Sequence, residues 1–350
     1  MRFASLGHYR LSTFEQLASH FGPEELEIQA GDRSPDGTVQ VLSPLDFDRI
    51  SSLRNVYLPK QILVQLGGFR SAWNASTLVL DLNPRVLNSW LLLTLRRAAR
   101  RRTLVWGHAW PRTGSATKPG LIRGLMRKLS NGVITYTAHQ ARELSEKYPG
   151  LRAFPAPNAL YRREKMYFTA DRERNVVIYV GRLVLEKKVD ALLNAFAQAC
   201  RSSPKMRLVI IGEGPERSTL EHLATSLGIE ESTDFMGVIT DVEVLRGQYS
   251  RSFVSVSPGY AGLSVTQSLA FGVPILVSLH EPHAPEISAL EPGFNGQFFN
   301  GVESLAANIS DFYASRASWE SKGSQISAQC AKEFSVEAMA EGVIAALAAG

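Results

Sequence analysis

Cysteine is scarce in this 350-residue sequence. The two cysteines present, Cys200 and Cys330, lie in segments with helical patterning and show no metal-ligand spacing. We therefore interpret both as reduced thiols in the core of a cytoplasmic protein, rather than as a disulfide or a redox pair.

Long apolar runs are also lacking. The longest, around Trp90–Leu93, is far shorter than the roughly 20 residues that a membrane-spanning helix needs. The start, Met1–Ala4, runs into polar residues within a few positions, unlike the apolar core of a signal peptide. We expect a cytoplasmic protein that is not integral to a membrane, although a position on the inner face of the plasma membrane remains open.

Acidic residues are sparse in the first half of the chain. Residues 1–165 contain 24 Lys and Arg against 12 Asp and Glu, whereas the remaining residues contain 14 against 21. This asymmetry predicts that the first half faces an anionic partner, although a basic surface that serves only solubility is the alternative. No stacking-aromatic motif accompanies the charge, so nucleic acid is not an expected partner.

Strand and helix patterns alternate from residue 176 onward. Apolar runs that end at glycine or serine are typical of buried parallel strands, and the segments between them have helical spacing. The predicted strands are 176–180, 208–211, 253–256 and 274–277, and helices are predicted at 188–201 and from about Leu263. This order predicts a doubly wound α/β domain.

The first half repeats the theme less regularly, as expected for two domains in a chain of this length. Strands are predicted at 2–6, 25–29, 77–81, 103–106 and 132–135, and helices at 12–20, 85–99, 119–129 and 138–147. We predict domains at 1–165 and 166–334, with a C-terminal helix in 335–350 that packs back across the boundary. Ligands of such sheets bind at the carboxyl ends of the strands, so the cleft between the domains is the expected active site.

The first motif with chemical content is Gly181-Arg182-Leu183-Val184-Leu185-Glu186-Lys187, directly after a predicted strand. Gly181 permits a tight exit from the strand. Arg182 and Lys187 would then lie at the carboxyl edge of the sheet, where two cations can hold a departing diphosphate. Surface ion pairs with Glu186 and Asp190 are the alternative interpretation.

The second motif runs from Gly259 to Gln267 and continues to Pro274. A glycine-containing turn leads into a helix, and the free backbone N–H groups of Gly262, Leu263 and Ser264 form a natural phosphate site. Such turns are common, so this motif alone is weak.

Together the two motifs resemble those of the family 4 glycosyltransferases, which are retaining enzymes with the GT-B fold. The likeness covers residues 176–300 well and the first half only loosely. The matching positions are Arg182, Lys187, Leu208–Pro215, Phe235–Gly237, Glu243, Tyr249, Gly262, Leu263, Gly272, Pro274 and Pro285–Ile287.

The resemblance implies two Rossmann-like domains that face a central cleft and a nucleotide-sugar donor. It implies that Gly181, Arg182 and Lys187 grip the donor pyrophosphate, and that the base lies near Gly237 and Val238. In the family a histidine often ends a strand of the first domain and points at the donor sugar. His108 matches that position, and with Arg182 and Lys187 it completes the expected catalytic set.

Two departures from the family concern its E–x7–E pair. Gly259 stands at the first glutamate and Gln267 at the second. The amide oxygen of Gln267 can accept hydrogen bonds from ribose hydroxyls as the carboxylate would. Gly259 cannot replace the glutamate beside the donor sugar, so Glu281, His280 and His283 in a following loop are candidates, with exposed loop residues as the alternative.

Acceptor binding is predicted for loops of the first half. Gly7 and His8 occupy the turn where the family has a glycine-rich acceptor loop, and Asn83 and Arg85 follow the predicted strand 77–81. The segment 118–129 mixes cations, among them Lys118 and Arg123, with apolar residues. Such a helix can rest on an anionic membrane surface, although an ordinary core-packed helix with a basic solvated face fits as well.

The function predicted from the sequence is retaining transfer of a hexose from a nucleotide sugar to a saccharide or lipid-linked saccharide, as in bacterial-type surface polysaccharide or glycoconjugate synthesis. No metal or cofactor is implied, because no acidic pair with a diphosphate-metal spacing is present. The alternatives are another enzyme on the same fold, such as a nucleotide-sugar epimerase or a phosphorylase, and a non-catalytic protein that binds nucleotide sugars.

Overall fold

The computed structural model describes residues 1–33, 41–111, 118–171 and 173–349. The chain divides into two units: unit 1 is Met1–Leu160 with Val336–Gly350, and unit 2 is Tyr161–Ser335. The division falls a few residues before the boundary that we placed near 165. Tyr161 already belongs to unit 2, because its ring packs 5.2 Å from that of Phe271 and its hydroxyl accepts a hydrogen bond from Gln267.

The sheet of unit 2 is wholly parallel, and its six described strands lie in the order β11-β10-β9-β12-β13-β14. The strands are β9 (Val176–Val180), β10 (Arg207–Ile211), β11 (Thr233–Gly237), β12 (Ser252–Ser257), β13 (Ile275–Ser278) and β14 (Gly296–Phe299). The direction of winding reverses between β9 and β12, so the crevice at their carboxyl ends is the natural ligand site of this sheet.

Helices cover both faces of this sheet. They are α6 (Val189–Cys200), α7 (Arg217–Ser226), α8 (Val242–Ser250), α9 (Leu263–Ala270), α10 (Gly301–Ala314) and α11 (Arg316–Phe334). Leu192 and Phe196 of α6 pack with Ile210 on one face, and Leu269 of α9 packs with Phe334 on the other. The apolar positions three and four residues apart in α6 form the buried stripe that the sequence predicted.

The sheet of unit 1 has eight strands among the described residues, in the order β4-β3-β2-β1-β5-β6-β7-β8. They are β1 (Arg2–Phe3), β2 (Ile28–Gly31), β3 (Ile50–Leu58), β4 (Ile62–Leu66), β5 (Thr77–Asp81), β6 (Arg102–Trp106), β7 (Gly132–Thr135) and β8 (Ala153–Pro155). Neighbouring strands are parallel, except that β3 and β4 form an antiparallel edge hairpin.

The helices of unit 1 are α1 (Leu11–His20), α2 (Phe69–Asn74), α3 (Leu87–Ala98), α4 (Lys118–Leu129), α5 (Ala138–Lys147) and α12 (Val336–Ala348). The last helix packs in the core of unit 1, where Val343 joins Phe14 of α1 and Trp106 of β6. Its end is held by Arg102, whose guanidinium donates to the carbonyls of Ala346 and Ala349 at 2.6 and 2.7 Å. A cation at a helix C-terminus is favourable, because the last carbonyls are unpaired.

The prediction of two doubly wound α/β domains is confirmed by these sheets. The sequence patterns missed β3, β4, β8, β11 and β14, which are edge strands or polar strands with little apolar alternation. In β3 the buried positions are irregularly spaced, so its sequence lacks the alternation of apolar and polar residues that distinguishes a strand from a loop.

Among the described residues, no helix combines the length and the apolar composition required to cross a bilayer.

Candidate active site

Two glycines bring the ends of β9 and β10 together. The Gly181 N–H donates to the Ile211 carbonyl at 2.9 Å. Gly212 has φ +143°, and a Cβ there would lie 1.9 Å from the Gly181 carbonyl oxygen. Only glycine at position 212 tolerates both the positive φ and this close backbone contact. The loop that carries Arg182 and Lys187 therefore starts from a tightly held strand end.

Arg182 and Lys187 both lie on this loop, but their side chains differ in their hydrogen-bond partners. The Arg182 carbonyl accepts the Tyr179 hydroxyl at 2.9 Å, while its guanidinium is exposed and forms no hydrogen bond or ion pair with any described residue. The Lys187 ammonium donates to the Tyr260 carbonyl at 2.6 Å and lies 5.0 Å from the Tyr260 ring centroid. Arg182 is thus available to a ligand. Lys187 joins the loop after β9 (residues 181–188, the β9 loop) to the loop after β12 (residues 258–262, the β12 loop) through one of the three N–H donors of its ammonium group.

The β12 loop lies directly against the backbone of the β9 loop. The Tyr260 N–H donates to the Glu186 carbonyl at 3.1 Å. A Cβ on Gly259 would lie 2.2 Å from the Glu186 carbonyl oxygen and 2.7 Å from the Lys187 carbonyl carbon. This contact explains why Gly259 stands where the family has glutamate, because no side chain fits there without moving the loop that carries Lys187.

The β12 loop leads into α9, for which Gly262 is the N-terminal cap residue. The first N–H groups of a helix have no acceptor within it, so those of Leu263 and Ser264 are directed away from the helix end. The Ser264 hydroxyl lies 2.9 Å from that of Ser257 at the end of β12. A helix N-terminus next to two hydroxyls favours an anionic ligand such as a phosphate.

Gln267 lies one turn further along α9. Its amide nitrogen donates to the Tyr161 hydroxyl at 2.8 Å, and burial raises the pKa of Tyr161 to about 12, so the phenol stays neutral. The amide oxygen has no partner among the described residues, which leaves it as the acceptor that we predicted for a ribose hydroxyl.

His283 links the β12 loop to the end of β13 by hydrogen bonds of its ring. Its Nδ1 accepts the Ala261 N–H at 3.1 Å, and its Nε2 lies 2.7 Å from the Ser278 carbonyl. Both ring nitrogens are thus committed to the backbone, which makes His283 a positioning residue for the loop. Glu281, another of the three candidates in this segment, pairs with Lys188 beside the β9 loop, and the third, His280, is exposed.

The hydrogen bonds of His283 make the β12 loop sensitive to pH. Burial lowers the pKa of His283, and the nearby Lys187 charge lowers it further, against the opposing effects of the Ser278 carbonyl and Glu281. As pH falls below about 6.5, the unfolded state takes up a proton before the folded state does, so the free energy of unfolding decreases. Protonation of Nδ1 also removes the acceptor of the Ala261 N–H.

We therefore expect both the melting temperature and donor affinity to decrease between pH 7.5 and pH 5.5. A His283→Asn variant should show a flatter profile, because its amide does not titrate. Thermal melts and nucleotide titrations across this pH range measure both quantities. Parallel profiles for the variant and the wild type would contradict the role of His283.

Gly237 and Val238 lie at the carboxyl end of β11. Gly237 has φ +70°, and its carbonyl accepts the Gly212 N–H at 2.8 Å. Val238 follows with its side chain 64% exposed. An accessible apolar side chain at this edge is suitable for contact with a flat base, so the residues predicted to bind the donor share one edge of the unit 2 sheet.

Four of the six predicted acceptor residues follow the carboxyl ends of β1 and β5 in unit 1, namely Gly7, His8, Asn83 and Arg85. His8 lies 3.8 Å from Asp46, and the Gly7 carbonyl accepts the Arg10 N–H. Asn83 caps the turn after β5 by accepting the Arg85 N–H at 3.1 Å.

His108 follows β6, and its ring centroid lies 4.7 Å from that of Tyr136. The other two predicted acceptor residues, Lys118 and Arg123, lie on α4. The side chain of Lys118 is outside the described residues.

A buried polar cluster at the same edge escaped the sequence patterns. The Arg10 guanidinium lies 5.0 Å from the Tyr136 ring centroid and near Asn158. The Asp81 carboxylate accepts the Ala4 N–H, and burial raises its pKa although the Arg10 and Arg123 charges oppose this. The Nε and Nη1 atoms of Arg123 are buried and have no hydrogen-bond partner among the described residues.

Asp81 and Tyr136 lie at or just after the ends of predicted strands. This position was the one sequence feature that could have indicated the cluster. Such a cluster of opposite charges is suited to bind a hydroxyl-rich or anionic ligand.

The fold of this chain is found among solved structures. The structure of HepE from Anabaena in complex with UDP aligns over 100% of this chain and 99% of its own, with a TM-score of 0.75 and 14% identity. At this identity the likeness concerns the fold alone. The two parallel-sheet α/β units thus have the GT-B fold, as the resemblance implied.

A family model supports the resemblance in unit 2. Residues 163–327 match the sequence model of the family described as glycosyl transferases group 1. This match confirms the resemblance drawn from the motifs.

Two curated relatives match part of the chain. A GDP-mannose-dependent α-(1-6)-phosphatidylinositol dimannoside mannosyltransferase of Mycobacterium tuberculosis is 40% identical over 106 residues, which are 29% of this chain and 27% of that protein. The α-monoglucosyldiacylglycerol synthase of Acholeplasma laidlawii is 29% identical over 167 residues, 46% of this chain and 41% of that protein. In both cases the match spans less than half of the relative.

Proposed function

We propose that the protein is a retaining glycosyltransferase that moves a hexose from a nucleotide sugar to a saccharide or a lipid-linked saccharide. The observation that carries the proposal is the arrangement around β9 and β12. Arg182 and Lys187 lie on one loop, and the backbone of that loop is bonded to the loop that leads into the N-terminus of α9. Two cations and a helix N-terminus at one sheet edge suit a diphosphate.

The chemistry follows from the charge that develops as the sugar bond breaks. The leaving nucleoside diphosphate gains negative charge, which Arg182, Lys187 and the first N–H groups of α9 stabilise. The sugar becomes oxocarbenium-like, and the acceptor hydroxyl attacks on the face that the nucleotide leaves. The proton of that hydroxyl passes to an oxygen of the leaving diphosphate. The His108 imidazole of unit 1 is our candidate for a contact with the donor sugar. These cations take the role that a metal would have, so we propose a reaction without a resident metal or cofactor.

The names of the relatives support the class of donor and acceptor. The mycobacterial protein is named for a GDP-mannose donor and a phosphatidylinositol dimannoside, the synthase for a glucosyl lipid, and HepE was solved with UDP. We propose that this chain acts on a comparable acceptor in surface polysaccharide or glycoconjugate synthesis. Its proposed location is the cytoplasmic face of the plasma membrane.

A non-catalytic nucleotide-sugar binding protein is the second candidate. The observation that favours it is the tight contact at Gly259, which leaves no space for the glutamate that the family places beside the donor sugar. Such a protein would bind the nucleotide sugar without turnover. An epimerase would instead convert the donor in the absence of an acceptor.

A thermal-shift screen with UDP, GDP, CMP and dTDP sugars tests the proposal. We expect one nucleotide series to raise the melting temperature, since a ligand that binds only the folded state stabilises it. The bare nucleoside diphosphate should retain most of this effect, because the proposed contacts hold the diphosphate. If no nucleotide shifts the melt, donor binding is refuted, and a shift without transfer to any saccharide or glycolipid would favour the binding protein.

A further inference from the structure

Helices α3 and α4 of unit 1 present an apolar surface to solvent. Its members, which we call the α3–α4 surface, are Leu87, Leu91, Leu95, Leu121, Ile122 and Leu125. Their exposed fractions range from 40% for Leu95 to 68% for Leu121. Three leucines spaced four residues apart on α3 form a stripe about 12 Å long, because the helix rises 1.5 Å per residue.

The two helices lie side by side on the same face of the sheet. Leu92 and Leu93 of α3 and Met126 of α4 are fully buried in a single core cluster beneath them, and the two helices contact each other. The opposite sides of both helices therefore point outward together. An exposed surface of six large aliphatic side chains is not explained by the packing of unit 1, and such surfaces mark sites of interaction.

The charge around this surface has one sign. Residues 82–142, which include both helices, contain twelve Lys and Arg and no Asp or Glu. Within this segment no carboxylate is available to pair with the cations, although Asp81, directly before it, acts on Arg123. The surface therefore combines apolar side chains with a strong positive field, which is the pattern of proteins that bind anionic bilayers.

A basic cleft lies where α3 and α4 end. It has a volume of about 360 Å³ and is lined by Arg97, Arg100, Arg101 and Asn131. Arg101 is held in place by a hydrogen bond to the Trp73 carbonyl and by the Trp73 ring. The guanidinium groups of Arg97 and Arg100 form no ion pair or hydrogen bond with any described residue. Three guanidinium groups around one small cleft suit a phosphate group.

We propose that the α3–α4 surface docks on an anionic phospholipid bilayer. Its leucines enter the acyl boundary, and the arginine cleft takes a lipid phosphate. A second copy of the chain is a poorer occupant, because two such basic surfaces would repel each other. A nucleic acid would match the charge but not the six aliphatic side chains, since its outer surface is polar.

The docking surface rests on the membrane location given under the proposed function, but on no step of sugar transfer. It does have a consequence for the proposed acceptor. Both α3 and α4 follow the carboxyl ends of their strands, where Asn83, Arg85 and His108 lie, and α4 itself carries Arg123. A bilayer on this surface would bring a lipid-linked acceptor to the acceptor edge of unit 1.

The test is co-sedimentation of the full chain with vesicles of phosphatidylcholine alone or with phosphatidylglycerol, in the absence of donor and acceptor. We expect binding to the anionic vesicles only, and weaker binding as salt is raised. Leu91→Gln should weaken binding about tenfold, because it removes one leucine from the buried area. Arg97→Gln should weaken it about fivefold by loss of one charge near the surface.

The matched controls are Leu45→Gln, an exposed leucine of unit 1 outside the surface, and Arg201→Gln, an exposed arginine of unit 2. Both should bind vesicles as the wild type does, and all four variants should melt at the wild-type temperature. Equal binding to neutral and anionic vesicles would overturn the proposal. So would a dimer that Leu91→Gln dissociates, since a second copy would then cover the surface. Because no donor is present, failure here is distinguishable from failure of sugar transfer.

Discussion

Arg182→Ala and Lys187→Ala are each expected to reduce sugar transfer by about 100-fold or more, which is the effect of removing one preorganised group that stabilises developing charge. The leaving diphosphate carries its full charge only as the sugar bond breaks. The loss should therefore appear chiefly in kcat. Initial rates at saturating donor, with the nucleotide series identified by thermal shift, measure it.

The two variants should differ in their effect on the fold. The Arg182 side chain has no hydrogen bond or ion pair with any described residue, so its removal should leave the melting temperature unchanged. Lys187 joins two loops through the Tyr260 carbonyl, so its removal should also lower the melting temperature slightly. Lys205→Ala, at an exposed lysine of the same unit, is the control for loss of one positive charge. Wild-type turnover in either site variant would refute the proposed function.

The position of the candidate donor residues at one sheet edge was predictable because its determinants are local. A buried strand followed by Gly181 and two cations is visible in seven consecutive residues, and parallel strands place their carboxyl ends at one edge. The sequence likewise indicated the glycine turn before α9. These features do not require the exact strand order, because any doubly wound parallel sheet places such loops at the same edge.

Other features depend on contacts between distant segments. Arg10 meets Tyr136 across more than a hundred residues, and no pattern within either segment indicates the partner. The role of His283 is also non-local, because the residues that it binds, Ala261 and Ser278, are joined only in the folded loop. The sequence suggested a ligand contact for His283. In the structure both of its ring nitrogens instead form hydrogen bonds with backbone groups.

The backbone contact at Gly259 leads to the second large expected effect. Gly259→Glu would restore the residue of the family, yet we expect it to lower the free energy of unfolding by about 1–3 kcal/mol, as overpacked sites do. The new Cβ would lie 2.2 Å from the Glu186 carbonyl oxygen. The loop that carries Lys187 must then shift, and a displacement of about 1 Å in a positioning group can cost roughly 100-fold in rate. Chemical denaturation and initial rates measure the two effects.

Gln267→Glu is the matched control, since it restores the other family glutamate within the same motif. Here the structure has room, and the Tyr161 hydroxyl that now accepts from the amide can turn to donate to the carboxylate. We expect Gln267→Glu to keep its stability and most of its transfer activity, in contrast to Gly259→Glu. Gly259→Ala separates size from charge: it adds the clashing Cβ without a carboxylate and should share the loss of stability. If Gly259→Glu were as stable and active as Gln267→Glu, the β12 loop would have to be free to move away from Glu186, and the contact could not be the reason for glycine at this position.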